Sequence, residues 1–173
     1  VFPMSRTSND WLLTPNGDPR GYIQPERLDE LWFHTGTNCN LRCPFCLEGS
    51  KPGDNRIEFI TFEDFLPLAK EALPLGLKRF SFTGGEPFVN PAMVQILDWA
   101  LTHRPCLVLT NATEPLMNRM AEILAFADAP NALSFRVSLD FSDPERHDAG
   151  RGKGNFRKSL RTLGRLHEAG FSV

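Results

Sequence analysis

The sequence predicts an α/β fold in which parallel strands, joined by helical crossovers, curl into an open or closed barrel. Two observations predict it. Strand-length apolar runs alternate with helix-length amphipathic segments from about residue 28 to the end of the chain. The third of these runs, Cys106-Leu107-Val108-Leu109-Thr110-Asn111, is almost wholly apolar, the composition of a parallel strand buried on both faces.

Residues 1–27 are rich in Pro, Gly, Asn and Asp and read as a surface lead-in, with Trp11, Leu12, Leu13, Tyr22 and Ile23 available to pack onto a domain over 28–173. From Leu28 to Thr37 the run Glu30-Leu31-Trp32-Phe33-His34-Thr35-Gly36 reads as a first strand that feeds directly into three cysteines. Thr61 followed by Asp64, ahead of Phe65, Leu66, Leu68, Ala69, Ala72 and Leu73, gives a capped helix ending near Leu75-Gly76, with Pro67 able to shift its start. Lys78 to Thr83 is the second strand, closed by Gly84-Gly85-Glu86-Pro87. Asn90 as N-cap and Pro91 at the first helical position open a second helix, apolar at Met93, Val94, Ile96, Leu97, Ala100 and Leu101 and stopped near Arg104-Pro105. After the apolar third strand, a third helix covers 114–127, and Leu133 to Asp140 alternates as a fourth strand. A fourth helix runs from about Phe156 to Ala169 with Gly170 at its C-terminal cap position, and Phe171-Ser172-Val173 begins a fifth strand.

Composition narrows the function classes. With 173 residues, 41% of them hydrophobic and 14 of them Phe, the chain can fill one domain core. A net charge of −2 and a pI of about 6.1 leave no basic footprint for a general nucleic-acid or anionic-membrane partner. No apolar run approaches the roughly 20 residues that span a bilayer, and Val1 to Arg6 carry no signal-peptide h-region. The expected compartment is the cytoplasm, where reduced thiols persist.

Chemistry concentrates in Cys39-Asn40-Leu41-Arg42-Cys43-Pro44-Phe45-Cys46. Cysteine thiolates hold iron–sulfur clusters, and a cubane has four irons, so three local ligands leave one iron open for chemistry. The spacing, three residues and then two, differs from the two-and-two pattern of ferredoxins, where a fourth cysteine completes an electron-transfer site. A competing reading is structural zinc, which wants four tetrahedral ligands and would have to recruit Cys106 or a histidine. A disulfide is disfavoured, since three close cysteines are an odd set and nothing looks secretory.

The Cys39-x3-Cys43-x2-Cys46 run, with aromatic Phe45 before the last cysteine, resembles the hallmark of the radical S-adenosylmethionine (radical SAM) enzymes. The resemblance implies a [4Fe-4S] cluster on Cys39, Cys43 and Cys46, whose open iron takes the amino and carboxylate groups of S-adenosyl-L-methionine. It further implies reductive cleavage to a 5′-deoxyadenosyl radical, hydrogen abstraction from an unknown substrate, and an electron donor such as flavodoxin or ferredoxin. Because such enzymes typically have a six-stranded partial (βα) barrel, the resemblance makes this chain the part of one that stops after about four βα units. The alternatives are a zinc-stabilised binding module and a non-catalytic fragment.

Further candidates follow the strands, at the end where ligands bind in α/β folds. Gly84-Gly85-Glu86 matches the family's Gly-Gly-Glu motif, which implies contact with the methionine amino group; glycines let the backbone approach closely, and Glu86 supplies negative charge or fixes the loop. The plainer reading is a turn. Thr110 and Asn111 are either cofactor contacts implied by the resemblance or a satisfied turn. Ser138 and Asp140, two residues apart on one strand face, look like the family's ribose-binding positions. Glu145 to Gly152 resembles the His-Asp-x-x-Arg stretch of a subgroup that includes peptide and cofactor maturases, where Arg151 would pair with the methionine carboxylate; otherwise it is a solvated loop arginine.

Other polar residues read more plainly. His34, in the first strand, faces either the barrel interior or the helices and reads as a core or substrate-side histidine rather than a metal ligand; His147 organises its loop by hydrogen bonds, and His103 and His167 sit at helix ends on the surface. Cys106 is a buried small hydrophobe. The basic residues from Arg151 to Arg165 form a solvated helix face rather than a binding stripe, and Gly150, Gly152 and Gly154 lack the context of a dinucleotide fingerprint.

Overall fold

The computed structural model describes residues 12–21 and 27–173. Trp11, Tyr22 and Ile23, expected to pack onto the domain, lie outside the described residues. Leu13 does not pack there: it is 46% exposed and bridges back to Pro19 in a short turn.

Four strands, β1 (Glu30–His34), β2 (Arg79–Thr83), β3 (Cys106–Thr110) and β4 (Leu133–Val137), form one parallel sheet in the order β1-β2-β3-β4. Helix α1 (Phe62–Ala72) joins β1 to β2 and α2 (Met93–His103) joins β2 to β3. Helices α3 (Glu114–Asn118) and α4 (Met120–Leu124) lead to β4, and α5 (Pro144–Arg151) and α6 (Asn155–Glu168) follow it. The fifth strand begins as expected: Ser172 bridges Ser134 in parallel, and the Phe135 N–H donates to the Ser172 carbonyl at 2.8 Å.

The pleat gives the sheet two unlike faces. Phe33, Phe80, Phe82, Cys106, Val108, Leu133 and Phe135 turn one way and are buried in the core with residues from the helices. At its centre Phe65 of α1 is fully buried, edge-on to Phe33 at 4.8 Å and to Trp99 of α2 at 5.6 Å. Each such ring contributes about 1.5–3 kcal/mol by leaving water. Alternate positions turn the other way and carry Glu30, Trp32, His34, Arg79, Ser81, Thr83, Leu107, Leu109, Ser134 and Arg136, a largely polar set. Glu30 accepts hydrogen bonds from Arg79 and Ser81 across β1 and β2 on that face.

Helix ends follow local chemistry. Thr61 Oγ1 accepts from the Asp64 N–H, and Asp64 returns a bond from the Thr61 N–H, both at 3.1 Å, a complete capping box. Pro67 sits inside α1 without moving its start from Phe62. At the other extreme, Gly170 (φ +88°) ends α6: its N–H reaches the His167 carbonyl and Phe171 N–H reaches Leu166.

Several boundaries differ from the expectation. Strand β1 is shorter than 28–37, because Thr35 to Thr37 already turn into the cysteine loop. Helix α2 starts later than Asn90-Pro91 suggests, at Met93 with Ala92 at its N-cap; Asn90 Oδ1 still accepts from the Ala92 N–H (2.8 Å), while its Nδ2 ties Thr35 O (3.1 Å) to Ile60 O (2.9 Å). The helix expected over 114–127 breaks at Arg119 (φ −103°, ψ 10°) into α3 and α4. Strand β4 stops at Val137, leaving Ser138 and Asp140 beyond the ladder, although the Ser138 N–H still donates to Thr110 O at 2.9 Å. The stretch around 145–152, expected as a loop, is helix α5, opened by the Asp143 cap and Pro144.

Candidate active site

The cysteine loop is stapled at its base. Leaving β1, the Thr35 N–H donates to Thr83 O at 2.7 Å, and Thr37 Oγ1 donates to Asp54 Oδ1 (3.1 Å) while accepting from the Ile57 N–H (3.1 Å). Arg56 clamps the Asp54 carboxylate through Nε (3.0 Å) and Nη2 (2.7 Å), and Nη2 also reaches Glu48 O at 2.6 Å. That guanidinium holds the Asp54 carboxyl well below the usual carboxylate range. With its ends fixed, the loop presents Cys39, buried, and Cys43 and Cys46, half-buried, above the end of the sheet.

The Gly84-Gly85 turn abuts that loop backbone to backbone. The Gly85 N–H donates to Gly36 O (2.9 Å) and the Glu86 N–H to Asn38 O (3.1 Å). A Cβ on Gly85 would stand 2.4 Å from Asn38 O, and one on Gly84 (φ +145°) would stand 2.7 Å from Gly36 O. The glycine pair is what lets the turn after β2 reach the cysteine loop.

Glu86 is 1% exposed and takes hydrogen bonds from Thr110 Oγ1 (2.8 Å), the Asn111 N–H (2.8 Å) and the Phe88 N–H (3.2 Å). Burial pushes its carboxyl up to about 7 against those bonds, which pull it down. It thus fixes the end of β3 to the turn after β2. Asn111, so held, sends its amide to Asn40 Oδ1 (3.0 Å) in the cysteine loop and accepts from the Thr113 N–H (3.0 Å). The next residue, Ala112, is fully buried with φ +56°, a left-handed conformation strained for a side-chain-bearing residue, at the rim of the site.

From the far side, Arg151 at the end of α5 grips Asp140 through Nε (2.5 Å) and Nη2 (3.1 Å), and holds the Asp140 carboxyl below its ordinary value. The Arg151 guanidinium lies 5.5 Å from the centre of the Phe45 ring. Gly150 makes this fit possible, since a Cβ there would meet Phe45 Cε1 at 2.4 Å.

These segments enclose a pocket of about 520 Å³ lined by Cys39, Cys43, Cys46, Gly84, Gly85, Asn111, Ser138, Asp140 and Arg151. Glu86 is absent from the lining; its carboxylate is spent on the neighbouring backbone. Leu41, Leu47, Thr110, Thr83, Leu109, Phe45, Glu48 and Ser50 complete the wall. Burial, together with the neighbouring Glu86, Cys43 and Cys46, pushes the Cys39 thiol up to about 11, and burial also raises Cys43.

The pocket holds three of the four cysteines and not the fourth. Among the described residues, no group of three or more His, Cys, Asp or Glu side chains is disposed to hold one metal ion. Cys106, the fourth ligand a zinc site would recruit, is 1% exposed on the helix-covered side of β3, at the opposite end of that strand from Asn111. Cys39, Cys43 and Cys46 all line the one pocket, and thiolates are the donors that iron–sulfur clusters take.

A family model, the Radical SAM superfamily, matches residues 33–173. The chain belongs to the radical SAM superfamily. Its four parallel strands, joined by helices in one sheet, match that family's partial (βα) barrel. Among curated relatives, the GTP 3′,8-cyclase of Microcystis aeruginosa is 29% identical over 156 residues, covering 84% of this chain and 45% of the cyclase. The antilisterial bacteriocin subtilosin biosynthesis protein AlbA of Bacillus subtilis is 30% identical over 143 residues, covering 82% of this chain and 31% of AlbA. The chain therefore spans less than half the length of either radical SAM relative. Among solved structures, SuiB of Streptococcus suis bound to S-adenosylmethionine matches with a TM-score of 0.70 at 19% identity, over 84% of this chain and 32% of SuiB. That likeness is one of fold.

Sequence reasoning missed the Asn40–Thr113 link and the partner of His34. Asn40 and Thr113 complete a hydrogen-bonded chain with Asn111, Asn40 Nδ2 donating to Thr113 Oγ1 at 2.9 Å; the Asn-Ala-Thr order after an apolar strand is the turn signal that marks it. His34 Nε2 pairs with Glu48 at 3.0 Å while its Nδ1 accepts from the Gly36 N–H, so the proton sits on Nε2. Only the fold brings Glu48 to β1. His147 was expected to organise a loop by hydrogen bonds; it is 1% exposed in α5, beside Phe156, with neither ring nitrogen bonded.

Proposed function

We propose that this chain is the catalytic core of a radical SAM enzyme, with Cys39, Cys43 and Cys46 holding a [4Fe-4S] cluster and the same pocket taking S-adenosyl-L-methionine. The observation that carries the reading is convergence: three thiols, the Gly84-Gly85 pair, Ser138 and the Asp140–Arg151 pair line a single pocket. When bound, the cluster supplies the one electron that cleaves S-adenosylmethionine to methionine and a 5′-deoxyadenosyl radical able to take hydrogen from a substrate.

The chain's own residues bind and orient. Gly84 and Gly85 bring backbone within reach of the methionine ammonium. Glu86 acts one step back, as a positioning residue: its carboxylate fixes the Asn111 N–H and Thr110, and thereby the wall beside Cys39. Asp140 and Arg151 enter as one ion pair, which places an acceptor for ribose hydroxyls beside a donor for the methionine carboxylate. Phe45, half its surface exposed, offers a flat apolar face beside Arg151. The substrate would approach over Thr83, Leu109, Glu48 and Ser50, the wall left over.

The test is anaerobic reconstitution with iron and sulfide, followed by S-adenosylmethionine and dithionite. Release of 5′-deoxyadenosine and methionine, lost in Cys43→Ala, is the expected result. A colourless protein that retains zinc would instead favour a zinc-stabilised module.

A further inference from the structure

One acid in the wall of the candidate active site is held in place without a cation. Glu48 lines the pocket with Ser50, Thr83 and Leu109, two residues after Cys46. Its backbone carbonyl accepts from Arg56 Nη2 at 2.6 Å. Its carboxylate is fixed as well, Oε1 facing His34 Nε2 at 3.0 Å and Oε2 accepting from Ser50 Oγ at 3.1 Å. His34 ends β1 on the polar face of the sheet, and its Nδ1 is taken by the Gly36 N–H, so it serves Glu48 as an uncharged donor.

The charges around it do not balance. Apart from its thiols, the ionic groups lining the pocket are two acids, Glu48 and Asp140, and one base, Arg151, which is committed to Asp140. Arg56 holds the Glu48 carbonyl but spends its charge on the Asp54 carboxylate. Arg136, also on the polar face of the sheet, lines a separate hollow beside β4. Among the described residues Glu48 therefore has no Lys or Arg partner. A carboxylate offers about four lone-pair sites, and neutral donors fill two of them here. With 40% of its side chain still exposed, Glu48 has room for a further donor. Leu47, wholly exposed, and Leu109 add apolar surface to the same pocket.

We propose that Glu48 sets specificity on the substrate side of this pocket, and that the substrate presents to it a cationic group, a primary ammonium or a guanidinium. The proposal rests on the radical SAM reading above and adds the chemical class of the substrate. An incoming cation gives the carboxylate a charge-assisted bond, stronger than the neutral ones it already makes. Little ordering is needed, because His34 and Ser50 hold the acceptor in position before the substrate arrives. Leu47 and Leu109 offer contact to the carbon chain that carries the charge. A phosphate or carboxylate arm would instead meet an acid with no free base beside it, which selects against anionic substrates. His34 and Ser50 are positioning residues that act through Glu48.

The experiment measures equilibrium binding of two probes, N-acetylarginine methylamide and N-acetylcitrulline methylamide, to the reconstituted protein with S-adenosylmethionine present. The two are alike in shape and differ in charge. At low salt the arginine probe should bind about tenfold more tightly, and added salt should narrow the gap. Glu48→Gln should abolish the preference, and Glu48→Lys should turn it toward N-acetylglutamate methylamide. Glu63→Gln, an exposed acid on α1, should keep the preference of the parent. A parent that binds neither probe or does not distinguish them would overturn the proposal, as would a preference that survives Glu48→Gln. Dithionite-driven cleavage of S-adenosylmethionine separates the two readings. A parent that cleaves but shows no preference overturns this subsite alone, whereas one that prefers the arginine probe and cleaves nothing refutes the cluster reading and keeps the subsite.

Discussion

Glu86 shows what a motif conveys and what it hides. The residue is legible in the sequence as the acid of Gly-Gly-Glu, but not the direction of its side chain, because that depends on the end of β3 arriving with the Asn111 N–H and the Thr110 hydroxyl. Its folded pKa of about 7, above the ordinary 4.5, means the folded state binds more protons than the unfolded one between those values. The Glu86 contribution is therefore most favourable below about pH 4.5 and is lost as pH rises through about 7, by roughly 3 kcal/mol in all. Urea midpoints taken from pH 5 to 8 should fall more steeply for the parent than for Glu86→Gln, which removes the titration; parallel curves would show that Glu86 does not titrate in this range. Gly85→Ala should be harsher for the site, since the atoms it meets, Asn38 O and Thr37 O, are backbone. Iron bound per chain after reconstitution should drop severalfold, while far-ultraviolet circular dichroism stays near that of the parent.

Elements were legible where pattern and punctuation agree. The capping box at Thr61, the glycine stop at Gly170 and the apolar β3 appear in the structure as the residues dictate. Two kinds of feature were not. Helix α5 has almost no apolar residue to give it a period, although Asp143-Pro144 is a start signal, and its docking depends on Gly150 fitting Phe45 from a loop a hundred residues away. The break at Arg119 replaces one long helix by two short ones whose apolar sides, Leu116 and then Met120 and Ile123, both reach the core. The staple of the cysteine loop was equally silent, because Asp54 and Arg56 read as surface charge until the fold brings Thr37 to them. The Asp54 pKa is depressed, so its stabilisation is full above about pH 4 and disappears as pH falls through the lowered folded value. Hydrogen exchange of the Cys39, Cys46 and Ile57 amides should accelerate below pH 4 more than that of β2. Asp54→Asn should show the faster exchange already at neutral pH.

At the scale of the molecule, the two faces of the sheet divide the labour. One face, with Phe33, Phe65, Phe80, Phe82 and Trp99, supplies the stability, and Phe65→Ala should cost about 3–5 kcal/mol in urea unfolding. The other face is polar and ends in the pocket, so side chains there are released from packing and available for chemistry. No described helix is long and apolar enough to cross a membrane. The central claim is that three thiols share one cubane with a vacant corner beside Gly84-Gly85. Electron paramagnetic resonance of the reconstituted, dithionite-reduced protein, before and after S-adenosylmethionine, tests it most directly. The account predicts about four irons per chain and a reduced-cluster signal that changes when S-adenosylmethionine binds. A signal indifferent to S-adenosylmethionine, or one that survives Cys39→Ala, Cys43→Ala and Cys46→Ala alike, would contradict it.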